Sequence, residues 1–214
     1  MRRFELVIFD WDGTLMNSVG RIVSSMQSAA RQVARPVPAA EAVRNIVGLS
    51  LQEALPRLFG PLDEPAYQQL LQAYRQQYIH DDPTPTPLFA GVSQTLQQLA
   101  ARGHLLAVAT GKARAGLDRV LAETGFSQLF HASRGADEAR SKPDPMMLEQ
   151  LLAQLNVPLE QAVMVGDSCY DMEMAANLGM ARIGVDWGVH DESVLNQFAP
   201  LAVISRMEAL LELV

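Results

Sequence analysis

An α/β protein is predicted: a Rossmann-like parallel sheet with helices on both faces and an all-helical cap inserted after the first strand. Short, continuous apolar runs that stop at a polar residue read as strands buried on both faces; Leu6-Val7-Ile8-Phe9 before Asp10 and Ala162-Val163-Met164-Val165-Gly166 before Asp167 are examples. From Leu88 onward such runs alternate with amphipathic helical segments, which implies right-handed βαβ crossovers. Between Met16 and Asp82, by contrast, apolar residues recur only at helical spacing. The expected division is a core formed by residues 1–15 and 84–214 and a helical cap formed by residues 16–83.

Each element has a local cause. In the inserted part, helical periodicity covers Val19 to Met26, Ala42 to Val47 and Tyr67 to Tyr74, with prolines 36, 38, 61 and 65 separating the helices. Pro56 lies within a helical run, Leu51 to Phe59, and is expected to kink or end it. Asp82-Pro83-Thr84-Pro85-Thr86-Pro87 reads as a stiff extended linker back to the core. There, a helix over Val92 to Arg102 is closed by Gly103 in the left-handed region, and Leu105 to Thr110 forms a buried strand. A helix from Ala113 to Thr124 ends at Gly125; Leu129 to Ser133 is a weaker strand and Asp144 to Leu155 a helix. The strand ending at Asp167 is followed by a helix over Tyr170 to Leu178, closed by Gly179, and by strands at Ala181 to Val185 and Leu201 to Ile204.

The 214 residues, 49% of them hydrophobic, suffice for one sizeable core and a smaller accessory unit. No apolar run approaches the roughly 18 residues of a membrane span, and Met1-Arg2-Arg3-Phe4-Glu5 leads into strand residues rather than a signal peptide's apolar region. The single cysteine, Cys169, excludes an intramolecular disulfide. A cytoplasmic protein, monomer or homodimer, that crosses no membrane is the expectation. A net charge of −7 argues against nucleic-acid binding, because phosphate backbones need basic surfaces. Small phosphorylated molecules answer instead to the local field of a cleft, where one metal ion and one lysine outweigh the global balance. The chain has two lysines, Lys112 and Lys142.

Polar residues collect where a parallel sheet binds ligands, outside the carboxyl ends of its strands. Asp10 and Asp12 follow the first strand, Thr110-Gly111-Lys112 the second, and Gly166-Asp167-Ser168 a later one, with Ser141-Lys142-Pro143 in a loop between. Taken singly, each has a structural reading: Asp-x-Asp-Gly as a turn, Thr110, Asp167 and Ser168 as helix caps, Lys142 as a loop lysine. An EF-hand loop is excluded, because Gly13 falls at the fourth place and Arg21 at the twelfth. A Walker loop fails at Leu106 and Ala113.

In this order, Asp10-Trp11-Asp12-Gly13-Thr14, Thr110, Lys142-Pro143 and Gly166-Asp167-Ser168-Cys169-Tyr170-Asp171 resemble the four motifs of the haloacid dehalogenase-like hydrolases. The helical insert is similar to the cap of their phosphoglycolate phosphatase and β-phosphoglucomutase branch. The resemblance implies hydrolysis of a small phosphorylated metabolite through an aspartyl phosphate on Asp10. A carboxylate is ionised at pH 7 without help, so Asp10 needs no activating base. Asp12 would protonate the leaving oxygen and then take a proton from water, with a pKa raised by roughly two to three units. Four aspartates beside a phosphate call for a hard cation, and Mg²⁺ suits them. By the resemblance its ligands are the Asp10 carboxylate, the Asp12 carbonyl, Asp167 and, directly or through water, Asp171. Lys142 would neutralise Asp10 and a phosphoryl oxygen. Thr110 and the backbone N–H groups of Trp11, Asp12 and Gly111 would hold the equatorial oxygens.

Within the superfamily, Asp12 favours phosphoryl transfer over dehalogenation, since halide leaves unprotonated. A cap without lysine disfavours phosphonate cleavage, which uses a Schiff-base lysine there. A phosphomutase and a catalytically silent binding protein remain as alternatives. Arg44, near Gly48-Leu49-Ser50, is a candidate grip on a substrate anion, with a solvated helix arginine as the alternative. Asn17 stands where many relatives carry Asp, which bears on the cap hinge. Lys112 reads either as a substrate contact or as a solvated residue at a helix start. Cys169 reads as a packed loop residue or an oxidation-sensitive thiol, and the tyrosines of the cap read as core.

Overall fold

The computed structural model describes residues 4–214, so Met1, Arg2 and Arg3, and with them the expected start of the core, lie outside the described residues. In chain order the core sheet is built from β1 (Leu6–Phe9), β2 (Leu105–Ala109), β3 (Ala132–Arg134), β4 (Ala162–Gly166), β5 (Ala181–Val185) and β6 (Ala202–Ile204). All pairings are parallel, in the order β3-β2-β1-β4-β5-β6. The α/β prediction is therefore met. β1 lies at the centre because it is buried on both faces. Val7 and Phe9 join the cluster on one face with Leu106, Val108, Val163 and Val165, whereas Leu6 and Ile8 join the opposite cluster with Ala107, Ala109 and Met164. Each β1 side chain is fully buried and contributes about 1.5–3 kcal/mol by leaving water. Helices α5 (Val92–Ala101), α6 (Arg114–Thr124) and α10 (Leu210–Leu213) cover the first face; α7 (Met146–Leu155) and α8 (Cys169–Leu178) cover the other.

The inserted helices are α1 (Val19–Gln32), α2 (Ala40–Arg44), α3 (Leu51–Phe59) and α4 (Glu64–Gln76), prolonged by a π-helical turn, Gln77–Asp81. They enclose their own apolar cluster around Met26, Leu55, Leu70 and Tyr74. The chain enters and leaves this unit through two paired segments: Asn17 N–H donates to Pro87 O at 2.8 Å and Phe89 N–H to Leu15 O at 3.0 Å. The proline linker is fastened to α1, where Asp82 accepts from Ser24 and from Ser25 at 3.0 Å. Burial pushes the Asp82 carboxyl up, but hydrogen bonds from Ser24, Thr84 and Ser25 outweigh it and hold it at about 2.

The structure departs from the sequence expectation in several places. α3 runs through Pro56 to Phe59 instead of ending there. The carbonyl deprived of its donor is that of Gln52, which is exposed, so water can replace the lost bond. The third strand begins at Ala132 rather than Leu129; Leu129 and Phe130 pack onto the core instead. Short helices at Glu192–Leu195 (α9) and Leu210–Leu213 are too brief to show a period. Among the described residues no helix is long and apolar enough to cross a membrane.

Candidate active site

Sheet register assembles the site. Phe9 pairs with Val108 on one side and Val165 on the other, so the residues that follow these three leave the sheet together. Asp10, Thr110, Lys142, Asp167 and Asp171 are all almost wholly buried. Asp10 is anchored by its N–H to Val165 O at 3.0 Å. Its Oδ1 lies 2.8 Å from Lys142 Nζ, which is also 2.6 Å from Asp171 Oδ1. Asp171 is held in turn by Ser168 at the start of α8: its Oδ2 accepts from the Ser168 N–H at 3.1 Å and hydroxyl at 2.6 Å, and its own N–H donates to Ser168 Oγ. Thr14 Oγ1 donates to Asp167 Oδ1 at 2.7 Å, and the Val189 N–H to Oδ2 at 2.8 Å. Gly13 takes φ +87° and a Cβ there would collide with the Asp167 carboxylate, so glycine is what permits the approach.

Asp10, Asp167 and Asp171 each bring one carboxylate oxygen within 4.8 Å of the others. Asp10 Oδ2 is buried without a hydrogen-bond partner. Such an arrangement is costly without a cation, and oxygen donors in this number fit a hard divalent ion. The electrostatics say the same. Burial, set against Lys142 and reinforced by Asp171, raises the Asp10 carboxyl from its ordinary value to about 7. Burial and the neighbouring Asp10 and Asp171 also push Asp167 well above the carboxylate range. Burial therefore opposes the ionisation of Asp10 that the sequence reading assumes, and Lys142 is the neighbour that favours it. For Lys142, burial works against the charge, but Asp10 and Asp171 prevail and raise its pKa.

Asp12 turns away from this cluster. Its Oδ1 accepts from Ser18 Oγ at 2.5 Å and its Oδ2 lies 2.9 Å from Lys112 Nζ. The carboxylate is thus placed beside Asp10 but outside the three-aspartate group, leaving its backbone carbonyl as the group it could offer to a metal. The Trp11 side chain is fully buried, with its indole N–H donating to Met16 Sδ at 3.4 Å, which leaves only its backbone as a group it could offer to the site. Lys112 is neither solvated nor free: besides Asp12 it reaches Tyr78 Oη at 3.3 Å and lies 4.9 Å from that ring's centroid. Arg44 is exposed and absent from the walls of the cleft, so the structure does not bring it to the others. Cys169 is half-buried, and burial pushes its thiol up, away from the reactive thiolate.

The cap closes over these residues. Ser50 N–H donates to Ser141 Oγ at 2.9 Å, and Tyr170 Oη to Asn45 O at 2.7 Å. Between the two units lies a cavity of about 530 Å³ whose floor includes Asp10, Asp12 and Thr110 and whose roof includes Met26, Leu71, Tyr74 and Tyr78. The cap tyrosines read as core thus also line the cleft. Gly111 passes directly beneath the cap, where a Cβ would stand 2.6 Å from Gly48 O and 2.7 Å from Leu49 O. Gly111→Ala is therefore expected to prop the cap open, lowering kcat/KM by about 10²-fold with little change in melting temperature. Steady-state kinetics and thermal melts of the variant check this.

Similarity to known proteins agrees with this geometry. Residues 7–185 match the family model described as haloacid dehalogenase-like hydrolase. The chain is 34% identical over 205 residues to the protein named Probable phosphatase IndB of Dickeya dadantii, covering 93% of this chain and 88% of that one. It is 38% identical over 185 residues to Tyrosine-protein kinase PtkA of Mycobacterium tuberculosis, covering 86% of this chain but only 62% of that protein's length. The crystal structure of a predicted phosphoglycolate phosphatase from Haemophilus somnus superposes with TM-score 0.88 at 26% identity, covering 100% of this chain and 99% of that one. The chain belongs to the haloacid dehalogenase-like hydrolases, and is an enzyme of that family.

What sequence reasoning missed lies around Asp12. Ser18 and Lys112 hold its two oxygens, a pairing that no spacing in the sequence announces. The usable signal for Lys112 was its scarcity, one of two lysines, set just after a strand end. For the cap tyrosines it was Leu71, Tyr74 and Tyr78 falling on one helical face.

Proposed function

We propose that this chain is a cytoplasmic, Mg²⁺-dependent phosphatase of a small phosphorylated metabolite, working through an aspartyl phosphate on Asp10. The observation that carries the reading is Asp10 itself: buried at a strand end, with one carboxylate oxygen held by Lys142 and the other without a partner, at the floor of the cleft. One Asp10 carboxylate oxygen would attack phosphorus as the bond to the leaving oxygen breaks, and Asp12 would give the leaving oxygen a proton. Water would then attack the aspartyl phosphate with Asp12 taking its proton, releasing phosphate and restoring both acids. Thr110 and the backbone N–H groups of Trp11, Asp12 and Gly111 are the donors nearest to hand for the equatorial oxygens. Mg²⁺ held by Asp10, Asp167, the Asp12 carbonyl and, directly or through water, Asp171 would neutralise the charge that gathers there. The names of the phosphatase relatives support hydrolysis as the net reaction.

Acid quench during turnover, borohydride reduction and peptide mapping would find homoserine at position 10; a labelled residue elsewhere, or none, would reject the intermediate. Isomerisation of a sugar phosphate faster than phosphate release would replace the phosphatase by a mutase. Asp12→Asn is expected to cost about 10²–10⁴-fold in kcat with alkyl phosphates. With aryl phosphates, whose leaving group departs without a proton, the loss should be far smaller. An equal loss with both would remove the acid role from Asp12.

A further inference from the structure

The shape and lining of the cleft say more about the leaving group than the phosphate site does. Resting on the phosphatase reading above, we propose that the substrate is a phosphomonoester whose alcohol is uncharged, bulky and largely apolar, with an aromatic or extended hydrocarbon body. The cavity, about 530 Å³, is of the size that encloses drug-sized molecules, and a two-carbon alcohol would leave most of it unfilled. On the cap side the lining includes Ile22, Met26, Ile46, Leu71, Tyr74 and Tyr78, none of them charged, beside the neutral polar Ser50 and Gln52.

The cations on the wall are committed or peripheral. Lys112 is paired with Asp12 at 2.9 Å, and Arg119 lies at the rim, 5.9 Å from the Tyr78 ring centroid and in a surface pair with Glu123 at 2.9 Å. The cap's basic contribution to the wall is Arg75, which is exposed at the end of α4. A carboxylate carried by the leaving group would therefore face apolar side chains when the cap closes, and losing its hydration there without a partner is costly. An apolar body, in contrast, gains from the same surface.

The test uses primary phosphomonoesters of similar leaving-group basicity, so that chemistry is held constant while size and charge vary. Ethyl, butyl, hexyl and naphthylmethyl phosphates are compared with phosphoglycolate, with Mg²⁺ present. The expected result is a rise in kcat/KM of about fourfold per added methylene, the equivalent of about 0.8 kcal/mol each, until the cavity is full. Phosphoglycolate should rank at or below ethyl phosphate. Leu71→Lys, which puts a cation into the roof, should reverse the order, favouring phosphoglycolate over the naphthylmethyl ester. If wild type hydrolyses the esters at rates flat or falling with alkyl length, or prefers phosphoglycolate, the leaving-group inference is overturned and the phosphatase reading stands. If no phosphomonoester is hydrolysed at all, the phosphatase reading itself falls, and this inference with it.

Discussion

Asp10→Asn is expected to abolish turnover, lowering kcat by about 10⁴-fold or more while leaving the fold in place. Asn preserves the shape of the side chain but cannot form an acyl phosphate, and every other group around it persists: Lys142 stays paired with Asp171, and Asp167 stays held by Thr14 and Val189. Circular dichroism should be unchanged. Turnover within tenfold of wild type would move the nucleophile to another residue.

The same substitution carries a prediction for stability, and its sign follows from the perturbed acid. The folded protein holds a proton on Asp10 up to about pH 7, whereas the unfolded chain releases it near the ordinary value of 3.8. Over that window the native state binds more protons, so metal-free wild-type stability is fullest below about pH 4 and is lost as pH rises to 7. Asp167, also raised, adds to the same trend. Asp10→Asn lacks the first of these contributions. Thermal melts without metal should show its advantage over wild type growing between pH 4 and 7. Magnesium should reverse the comparison, because it competes with protons for the carboxylates: added Mg²⁺ should stabilise wild type at pH 7 more than at pH 5, and the variant less at either.

These expectations rest on residues whose positions were legible in the sequence for a definite reason. A strand buried on both faces must stop where polarity begins, so Asp10, Thr110 and Asp167 could be set at strand ends from their apolar runs alone. Parallel register then brings the ends together, as Phe9 between Val108 and Val165 shows. What was not legible depends on how two separately packed units meet. Arg44 sits beside Gly48 in sequence yet faces solvent, because α2 ends before the loop that reaches Gly111. Lys112 and Tyr78, 34 positions apart, meet across the interface with no spacing rule to announce it. Pro56 does not end α3, since a solvent-exposed turn can surrender one hydrogen bond to water more cheaply than an interior one.

Lys142→Met is expected to have the second large effect, and it acts on stability as well as rate. The ammonium is fully buried, 2.8 Å from Asp10 and 2.6 Å from Asp171. Without it, carboxylate oxygens within 4.8 Å of one another are left with no fixed positive charge in the group. Each ionised pair at that separation repels by about 3 kcal/mol at an effective dielectric of ~20. Breaking a buried ion pair by deleting one partner commonly costs about 3–5 kcal/mol, which for a chain of this size means a melting temperature lower by roughly 10 °C. In metal-free buffer the loss should grow as pH rises through about 7, where Asp10 gives up its proton beside Lys142 in the wild type. Activity should fall by about 10²–10³-fold even with saturating Mg²⁺, because a fixed donor aimed at developing charge is gone. Adding Asp10→Asn to Lys142→Met should then restore part of the lost stability, since the removed carboxylate is one of those left unbalanced. The two substitutions share a contact and should couple rather than add. Strict additivity in the double-mutant cycle would mean that Lys142 does not balance the Asp10 charge, and the electrostatic account of this site would have to be abandoned.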